Sequence, residues 1–406
     1  MQKGNNRAFN RYLKNRLKTQ TTVGPLLNGD GVLVQDNSDM ANILNTFFAS
    51  VFTRENIGQI PAATAKETTD KLRQISVTED VLRQKILKAN PSKAAGPDGV
   101  HMSILQSLHG FICKPLAAIF NKSLETGVVP RDWRDAHVTP IFKKGVKSDP
   151  GNYRPVSLTS ICCKLMESCI KDAIVEHVEK NNLLRNTQHG FSKGRSCTTN
   201  LLDFMEKVTD YVDKGFPVDI IYLDFAKAFD KVPHLRLAEK LKAIGIEGHI
   251  LEWIKSWLSD RRQKVRVYGS ESQWEQVLSG VPQGSVLGPI LFIIYNDDID
   301  CAAISPVFIN KFADDTKTAR PIKTEQDRIE LQACLDGMCS WAMMWGMEFN
   351  VKKCKVMHIG HINNRLTYSM NGLALTESEQ ETDEGVLIVR ATYNISHSNY
   401  LIICNK

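Results

Sequence analysis

The sequence predicts a mixed α/β protein of the α+β type, and two apolar strands that each lead to aspartate are the first observations behind this. Residues 218–225 are apolar enough for a central strand and carry Asp224 at the carboxyl end. A second apolar run, 307–309, precedes the adjacent carboxylates Asp314 and Asp315, so a buried strand followed by a tight turn is expected. Amphipathic helix patterns elsewhere in the chain supply the helical part of the fold.

The elements follow one another along the chain. Helices are predicted over 40–51, 82–87, 104–124, 158–184, 200–212, 235–244, 251–258, 286–295 and 325–347. Strands are predicted over 133–142, 218–225, 261–267, 307–309 and 349–359. Ser76 and Glu79 have the spacing of a capping box, which is typical of a helix start. Pro233 fits the opening of the helix at 235–244.

Composition places the chain among ordinary globular proteins with a basic balance. Its 406 residues can bury several sub-cores, and 42% hydrophobic and 24% charged residues are usual values. The net charge of +6 is compatible with nucleic acid without requiring it. Residues 1–22 carry six basic and no acidic side chains. That segment is either an arm that binds a phosphate backbone or a solvated terminal helix.

No targeting or membrane segment is evident in the sequence. No apolar run approaches the roughly 20 residues that span a bilayer, and the N-terminus lacks the core of a signal peptide. The ten cysteines show no Cys-x-x-Cys pairing, which favours reduced thiols. The expected location is therefore intracellular, in the nucleus or the cytoplasm, without secretion or a membrane partner. The oligomeric state is not indicated.

The aspartates suggest a metal site. Adjacent carboxylates repel each other and need a cation when they are partly buried, and Mg²⁺ prefers such oxygen ligands. A solvated Asp-Asp turn is the alternative for Asp314 and Asp315 taken alone. If the two strands are neighbours, Asp224 and Asp314 can hold two metal ions about 3.5–4 Å apart, the arrangement that supports phosphoryl displacement.

A glycine-rich loop at 279–289 is the third motif. Gly280, Gly284 and Gly288 permit close backbone approach, and Pro282 stiffens the loop. Such a loop could pack against a template base or an incoming nucleotide, and by itself it could equally be an ordinary Gly-Pro turn.

The order of these three motifs resembles the palm of reverse transcriptases, in particular those of non-LTR (LINE-type) retrotransposons near the jockey and chicken-repeat clades. Residues 95–99, 152–159 and 188–196 resemble the fingers blocks of that family, and 341–360 resemble the block after the catalytic turn. The resemblance covers nearly the whole chain. It implies a right-hand polymerase fold with fingers and palm, and with the thumb largely missing.

The resemblance also implies a division of the chain. It gives a basic N-terminal arm and linker helix at 1–69, a fingers-like region at 70–215, a palm with the catalytic site at 216–362, and a hairpin with a truncated C-terminal segment at 363–406. The hairpin falls at 368–372. Glu384 stands where the family usually has an apolar residue, and a buried carboxylate there is expected to cost several kcal/mol or to rearrange the backbone.

The function implied is RNA-directed DNA polymerisation. An RNA template, a DNA primer or target and a dNTP are the expected partners, and Mg²⁺, or Mn²⁺ in its place, is the expected cofactor. A truncated, inactive relic that still binds nucleic acid is the first alternative. An RNA-templated RNA polymerase is the second, and Phe229 argues against it.

The family's catalytic and nucleotide-binding roles transfer to individual residues. Asp224, Asp314 and Asp315 are the implied metal-binding carboxylates, and Phe225 lends its backbone carbonyl. The implied nucleotide-binding residues are Lys143, Arg154, Phe229, Gln283 and Gly284. Arg154, with Lys143 as its companion, would hold the phosphates. Phe229 would exclude a 2′-hydroxyl. Without the resemblance, Lys143 would be a solvated loop residue and Phe229 a core residue.

Other basic residues are candidates for contacts with nucleic acid or for proton transfer. Lys193 and Arg195 could contact template phosphates. The face of 261–267 that carries alternating basic residues is either solvated or in contact with primer-template. One of Lys352, Lys353 and Lys355 could protonate the leaving pyrophosphate, and Lys353 is the choice among them. The second acidic pair, Asp297-Asp298, is assigned to a helix end and not to catalysis.

Overall fold

The computed structural model describes residues 23–302, 307–360, 363–393 and 398–404. The predicted basic arm at 1–22 lies outside these residues. Within them the chain is a mixed α/β protein, as predicted. No helix of the described ranges is both long and apolar enough to cross a membrane.

The helices of the described ranges carry the following bounds. They are α1 (Asn37–Ser50), α2 (Glu79–Lys88), α3 (Met102–Ser107), α4 (His109–Thr126), α5 (Arg131–Arg134), α6 (Ile161–Lys180), α7 (Cys197–Asp213), α8 (Ala228–Lys231), α9 (His234–Ala243), α10 (Gly248–Leu258), α11 (Gly288–Tyr295) and α12 (Glu325–Trp345). Short 3₁₀ turns occupy Ile57–Gln59, Pro150–Asn152 and Asp297–Ala302.

The strands of the described residues fall into five sheets. They are β1 (Leu26–Leu27), β2 (Leu33–Val34), β3 (Asp135–Phe142), β4 (Tyr153–Thr159), β5 (Val218–Leu223), β6 (Arg261–Val267), β7 (Ser270–Glu271), β8 (Glu275–Val277), β9 (Phe308–Phe312), β10 (Asp315–Pro321), β11 (Lys355–Ile359), β12 (Ser369–Met370), β13 (Leu373–Ala374), β14 (Thr376–Glu377), β15 (Gln380–Asp383), β16 (Val386–Tyr393) and β17 (Ser398–Cys404). The predicted hairpin at 368–372 is β12–β13.

The central sheet has the strand order β14-β11-β5-β10-β9. Strand β10 pairs antiparallel with both β9 and β5, with Thr316 opposite Leu223. The strands at 218–225 and 307–309 are therefore not direct neighbours, because β10 lies between β5 and β9; the strand that pairs with β5 is β10, which begins at Asp315. The polar sequence of β10 had given no strand signal, because its residues take their burial from the neighbouring strands.

Both faces of the central sheet are covered. On one face, Ile221 and Leu223 join the largest core cluster, together with residues of α11 and α12. On the other face, Ile220 packs with Phe204 of α7 and Ile388 of β16. Burial on both faces explains why β5 is an almost continuous apolar run.

A second sheet has the strand order β4-β3-β6-β7, with β8 also paired to β6. Helix α1 packs on it through Leu44 and Phe48, which contact a cluster that contains Val138, Tyr153 and Val265. This sheet joins β6, from the predicted palm segment, to β3 and β4, from the predicted fingers segment. It connects the two segments through backbone hydrogen bonds.

Several sequence predictions of local structure were wrong. The helix predicted from residue 158 begins at Ile161, because the preceding residues form β4 and pair with β3. Thr78, and not Ser76, caps α2 and accepts a hydrogen bond from the Val81 amide. The helix predicted over 104–124 is interrupted at Leu108, and the strand predicted over 349–359 is confined to β11.

Candidate active site

The catalytic turn joins β9 to β10. Phe312 pairs with Asp315, so Ala313 and Asp314 form a two-residue loop between the strands. Ala313 has a φ of 55°, at a hairpin position where glycine is usual. A non-glycine residue in such a conformation costs about 1–3 kcal/mol, so neighbouring contacts have to hold it. The tight turn predicted at the aspartate pair is confirmed.

Asp224 directly follows β5. It lies close to this turn in space, because Leu223 pairs with Thr316. Its backbone carbonyl accepts a hydrogen bond of 2.7 Å from the Asn350 amide. Its carboxylate Oδ2 lies 3.0 Å from Nζ of Lys353, and the side chain is 28% exposed. Asp224 is thus fixed through its backbone. Apart from this ion pair, its buried Oδ2 has no hydrogen-bond partner among the described residues, while the side chain as a whole keeps some exposed surface.

The three carboxylates influence one another electrostatically. Burial, followed by the charge of Asp224, raises the pKa of Asp314. Desolvation, followed by the charges of Asp314, Glu384 and Asp224, raises the pKa of Asp315 to about 7, although its side chain keeps a solvent-exposed surface. The charge of Asp224 disfavours the ionised forms of Asp314 and Asp315, and the charge of Asp314 disfavours that of Asp315, so the site favours cations.

A group of cationic side chains faces the carboxylates. Burial, followed by the charges of Arg154 and Lys353, lowers the pKa of Lys143. Arg154 and Lys143 in turn favour the ionised form of Asp314. The β3–β4 pairing places Arg154 opposite Ile141, and the Lys143 amide donates to the Asn152 carbonyl at 2.9 Å. The second sheet therefore presents positive charge to the aspartates of the central sheet.

The donor set fits a hard divalent cation. Asp224 and Asp314 offer carboxylate oxygens. The Phe225 ring is stacked on Phe349 with centroids 4.4 Å apart, so only its backbone carbonyl can serve as a ligand. Across the described ranges, no three His, Cys, Asp or Glu side chains converge closely enough to hold a metal ion alone. One or two carboxylates completed by substrate phosphates is the usual binding mode of Mg²⁺.

The glycine loop packs between β4 of the second sheet and residues 229–232, which follow β5 in the chain. A Cβ atom on Gly280 would lie 2.6 Å from the Asp230 carbonyl oxygen, and one on Gly284 would lie 2.8 Å from the Ser157 carbonyl oxygen. The Gln283 carbonyl accepts a 2.7 Å hydrogen bond from the Ser157 amide. Close packing of the protein itself thus accounts for both glycines, and Gly284 stays exposed beside β4.

Contacts between the glycine loop and α8 hold both Gln283 and Phe229. The Gln283 amide nitrogen donates to Asp230 Oδ1 at 2.9 Å. Phe229 is half-buried and stacked on Phe292, with centroids 4.5 Å apart, and its carbonyl accepts from the Val281 amide. The ring is therefore both packed and partly accessible.

Lys193 and Arg195 make contacts within the protein. Lys193 Nζ lies 3.0 Å from Glu179 Oε2 on an exposed surface. The Arg195 guanidinium donates to the Asn186 backbone and side-chain oxygens and to the Gln188 carbonyl. Arg195 therefore stabilises its own loop.

Two residues that sequence reasoning missed contact the catalytic turn. Oε1 of Gln188 accepts from the Ala313 amide at 2.9 Å, and Nδ2 of Asn296 donates to the Ala313 carbonyl at 2.9 Å. Gln188 lies inside the block at 188–196 that resembles a fingers block of the family. Its contact with Ala313 could not be predicted from the sequence and is seen only in the fold. Nothing in the sequence around Asn296 indicates this contact.

Both carboxylates of the second acidic pair, Asp297 and Asp298, form ion pairs. Asp297 lies 2.5 Å from Lys66 Nζ and accepts from the Arg185 amide at 2.8 Å. Asp298 pairs with Lys240 and accepts from the Trp341 indole at 2.9 Å. These contacts support the structural assignment made from the sequence.

Glu384 lies in the turn between β15 and β16 with a φ of 49°. It is half-buried, and burial raises its pKa. The neighbouring Asp383 forms a buried ion pair with Lys317 of β10. The β15–β16 hairpin thereby brings a fourth carboxylate, that of Glu384, close to Asp315. The Glu384 side chain is not completely buried there.

Carboxylates at adjacent strand ends, opposed by basic side chains of a second sheet, are consistent with the polymerase domain of a reverse transcriptase. Residues 141–387 match the reverse transcriptase (RNA-dependent DNA polymerase) family. The chain belongs to this family.

Similarity to individual proteins points to transposable elements. The chain is 27% identical over 346 residues to a probable RNA-directed DNA polymerase from transposon X-element of Drosophila melanogaster, covering 82% of this chain and 38% of the relative. It is 28% identical over 327 residues to the RNA-directed DNA polymerase from mobile element jockey of Drosophila funebris, covering 78% and 35%. The predicted resemblance to jockey-type non-LTR elements is confirmed. The chain spans little more than a third of the length of these relatives.

Proposed function

We propose that this chain is an RNA-directed DNA polymerase segment of a non-LTR retrotransposon protein. It would extend a DNA 3′ end with dNTPs on an RNA template. The observation that carries this proposal is the meeting of Asp224 with the Asp314–Asp315 turn, opposite Lys143 and Arg154. The relatives' names, which specify RNA-directed DNA polymerases, support the same reaction.

The carboxylates provide the metal site. Asp224, Asp314, Asp315 and the Phe225 carbonyl would hold Mg²⁺ or Mn²⁺. A bound pair of such ions activates the 3′-hydroxyl and neutralises the triphosphate. The mutual repulsion of the carboxylates supports this role, since a dication relieves it.

The second sheet would bind the nucleotide. Arg154 offers a planar fork suited to phosphate oxygens, and Lys143 adds a point charge. Gln283 and Gly284 lie beside β4 and would contact a template base or an incoming nucleotide there. The accessible part of Phe229 would fill the volume that a 2′-hydroxyl needs.

Lys353 is the proposed proton donor to the pyrophosphate. Its Nζ lies 3.0 Å from Asp224 Oδ2, which places it beside the reacting groups. Lys355 instead belongs to β11 and pairs with Tyr222. This contact favours Lys353 over Lys355, whereas no contact of Lys352 bears on the choice.

Primer-template would approach along the surface that carries Lys193 and Arg195. Lys193 is exposed and can exchange Glu179 for a template phosphate. Arg195 would act by shaping the loop that carries Lys193. An intracellular location, in the nucleus or the cytoplasm, follows from the proposed substrates.

Primer extension on poly-rA/oligo-dT with Mg²⁺ tests this function. The parent chain is expected to extend the primer, and Asp314→Asn is expected to reduce the rate at least about 100-fold through loss of a metal ligand. Asp213→Asn, on an exposed helix end, is the matched control and should retain the parent rate. A folded parent that binds primer-template without extending it would contradict the proposal and favour the inactive relic.

A further inference from the structure

Ala313 is held at both of its backbone polar groups. The Gln188 side chain accepts from its amide, and the Asn296 side chain donates to its carbonyl, each at 2.9 Å. We propose that Gln188 and Asn296 are positioning residues that keep Ala313 at a positive φ and thereby aim Asp314 and Asp315 at the reacting groups. The catalytic part of this inference rests on the proposed function.

The two amides are buried and come from distant parts of the chain. Gln188 is 1% exposed and Asn296 is 0% exposed. Gln188 precedes α7 in the chain, whereas Asn296 caps the carboxyl end of α11. Because neither side chain can exchange its partner for bulk water, loss of either one leaves a turn backbone group unsatisfied.

Gln188 is itself fixed against the edge of the central sheet. The Lys311 amide donates to the Thr187 carbonyl at 2.8 Å, and the His189 amide donates to the Lys311 carbonyl at 2.9 Å. Oε1 of Gln188 also accepts from the Gly190 amide at 2.8 Å. Residues 187–190 therefore extend the sheet beside β9 and hold the Gln188 amide in one orientation.

Gly190 allows this close approach. A Cβ atom at this position would lie 2.4 Å from the Ala313 nitrogen. Gly190 therefore allows the block at 188–196 to contact the catalytic turn. The block at 188–196, for which the sequence predicted contact with the template, has a second role beneath the aspartates.

The arrangement has a consequence for reactivity. A positive φ is unfavourable for alanine, so an unclamped turn shifts toward conformations with a negative φ. Such a shift moves the carboxylates that follow Ala313 directly in the chain. Displacements of about 1 Å at reacting groups can lower rates about 100-fold.

Amide hydrogen exchange tests the clamp without requiring activity. Gln188→Met, which keeps length and removes the acceptor, should accelerate exchange in peptides that cover 309–316. Gln332→Met is the matched control. Gln332 accepts from the Ser369 amide at 3.0 Å and donates to the Ser369 carbonyl at 2.8 Å. Gln188 likewise accepts from the Ala313 amide at 2.9 Å and donates to the Ala313 carbonyl at 3.5 Å. Gln188→Ala is the second variant should Gln188→Met fail to fold.

Kinetics then tests the catalytic consequence. Gln188→Met should lower the extension rate constant about 10–100-fold, with the dNTP KM and the primer-template Kd within about twofold of the parent values. In an Ala313→Gly background the loss should shrink, because glycine accepts the positive φ without strain. A parent that fails to extend primer contradicts the proposed function, whereas the exchange result still decides the clamp.

Three results would overturn the inference. The first is unchanged exchange at 309–316 in both Gln188 variants, and the second is equal acceleration in Gln332→Met. The third is a rate loss that stays the same in the Ala313→Gly background, which would show that Gln188 does not act through Ala313.

Discussion

At the scale of single residues, the site is built from side chains whose charges or rings are partly exposed and whose backbones are fixed. Asp224 shows this, with a hydrogen-bonded backbone carbonyl and a side chain that is 28% exposed. The aspartates could be predicted from the sequence because they follow apolar strands. Gln188 could not, since its partner Ala313 lies 125 positions away and only the fold brings the two together.

Phe229 is expected to control the choice of sugar. Phe229→Ala removes the ring that would occupy the position of a 2′-hydroxyl, so ribonucleotide incorporation should rise at least about 10-fold relative to deoxynucleotides. Competition between rUTP and dTTP on poly-rA/oligo-dT measures this ratio. Phe292→Leu, which removes the stacked neighbour, controls for general loosening. Unchanged sugar discrimination in Phe229→Ala would refute the assignment.

Asp315 is expected to make the metal-free protein less stable as the pH rises. Its pKa is raised from 3.8 to about 7, so the native state holds a proton that the unfolded chain has already lost between about pH 4 and 7. Stability is therefore lost over that window. Asp315→Asn should raise the Tm in EDTA by about 1–3 °C at pH 8 and by less at pH 5, after allowance for solvent screening.

Thermal melts across this pH range decide the point. A gain in Tm that is equal at both pH values, or larger at pH 5, would contradict the assigned ionisation. Addition of Mg²⁺ at pH 8 should stabilise the parent more than Asp315→Asn, because the bound cation compensates the carboxylate.

At the scale of elements, the catalytic hairpin depends on a buried lysine behind it. Lys311 of β9 is 0% exposed and lies 2.7 Å from Asp300, which is itself buried. Its Nζ also donates to the Asp297 carbonyl at 3.0 Å. The hairpin is thus anchored to the 3₁₀ turn that follows α11.

Lys311→Met should destabilise the protein by about 3–5 kcal/mol, because Asp300 is left buried without its cation. Urea unfolding measures the change in the free energy of unfolding. Lys122→Met removes an exposed ion pair with Glu125 and should cost no more than about 1 kcal/mol. Similar costs for the two variants would show that the buried pair does not anchor the hairpin.

Strands were harder to predict than helices in this chain. β4 contains Pro155 and was not predicted as a strand, and the predicted helix took in its last two residues; its pairing with β3 defines it as a strand. β10 has a polar sequence and is a strand because β5 and β9 flank it. Helices such as α7 and α10 were close to their predicted bounds, since an amphipathic period is visible locally whereas strand pairing is not.

At the scale of the whole molecule, two sheets face one site. The central sheet carries the carboxylates, and Lys143 and Arg154 lie at and within the second sheet, on which the glycine loop packs. The sequence motifs and the resemblance had proposed both groups of residues, whereas the long-range pairing of β3 with β6 that assembles the second sheet is not visible in the sequence.

Arg154 is expected to act on the nucleotide and not on primer-template. Arg154→Gln should raise the KM for dNTP about 10-fold or more, since a charge-assisted contact with phosphate is lost. The primer-template Kd should stay within about twofold. Arg266→Gln is the matched control, because Arg266 is exposed on the second sheet and pairs with Glu271. A Kd that rises while KM stays constant would move Arg154 to the nucleic-acid surface.

The central claim is that Asp224 and the Asp314 turn form one metal centre across adjacent strands. The most direct test of this claim is to measure Mn²⁺ binding by electron paramagnetic resonance. The protein is measured in a complex with RNA template, a 3′-deoxy DNA primer and the matching dNTP. The parent should hold about two ions. Asp224→Asn and Asp314→Asn should each hold fewer, whereas Asp213→Asn should match the parent. Parental stoichiometry in either of the first two variants would contradict the claim.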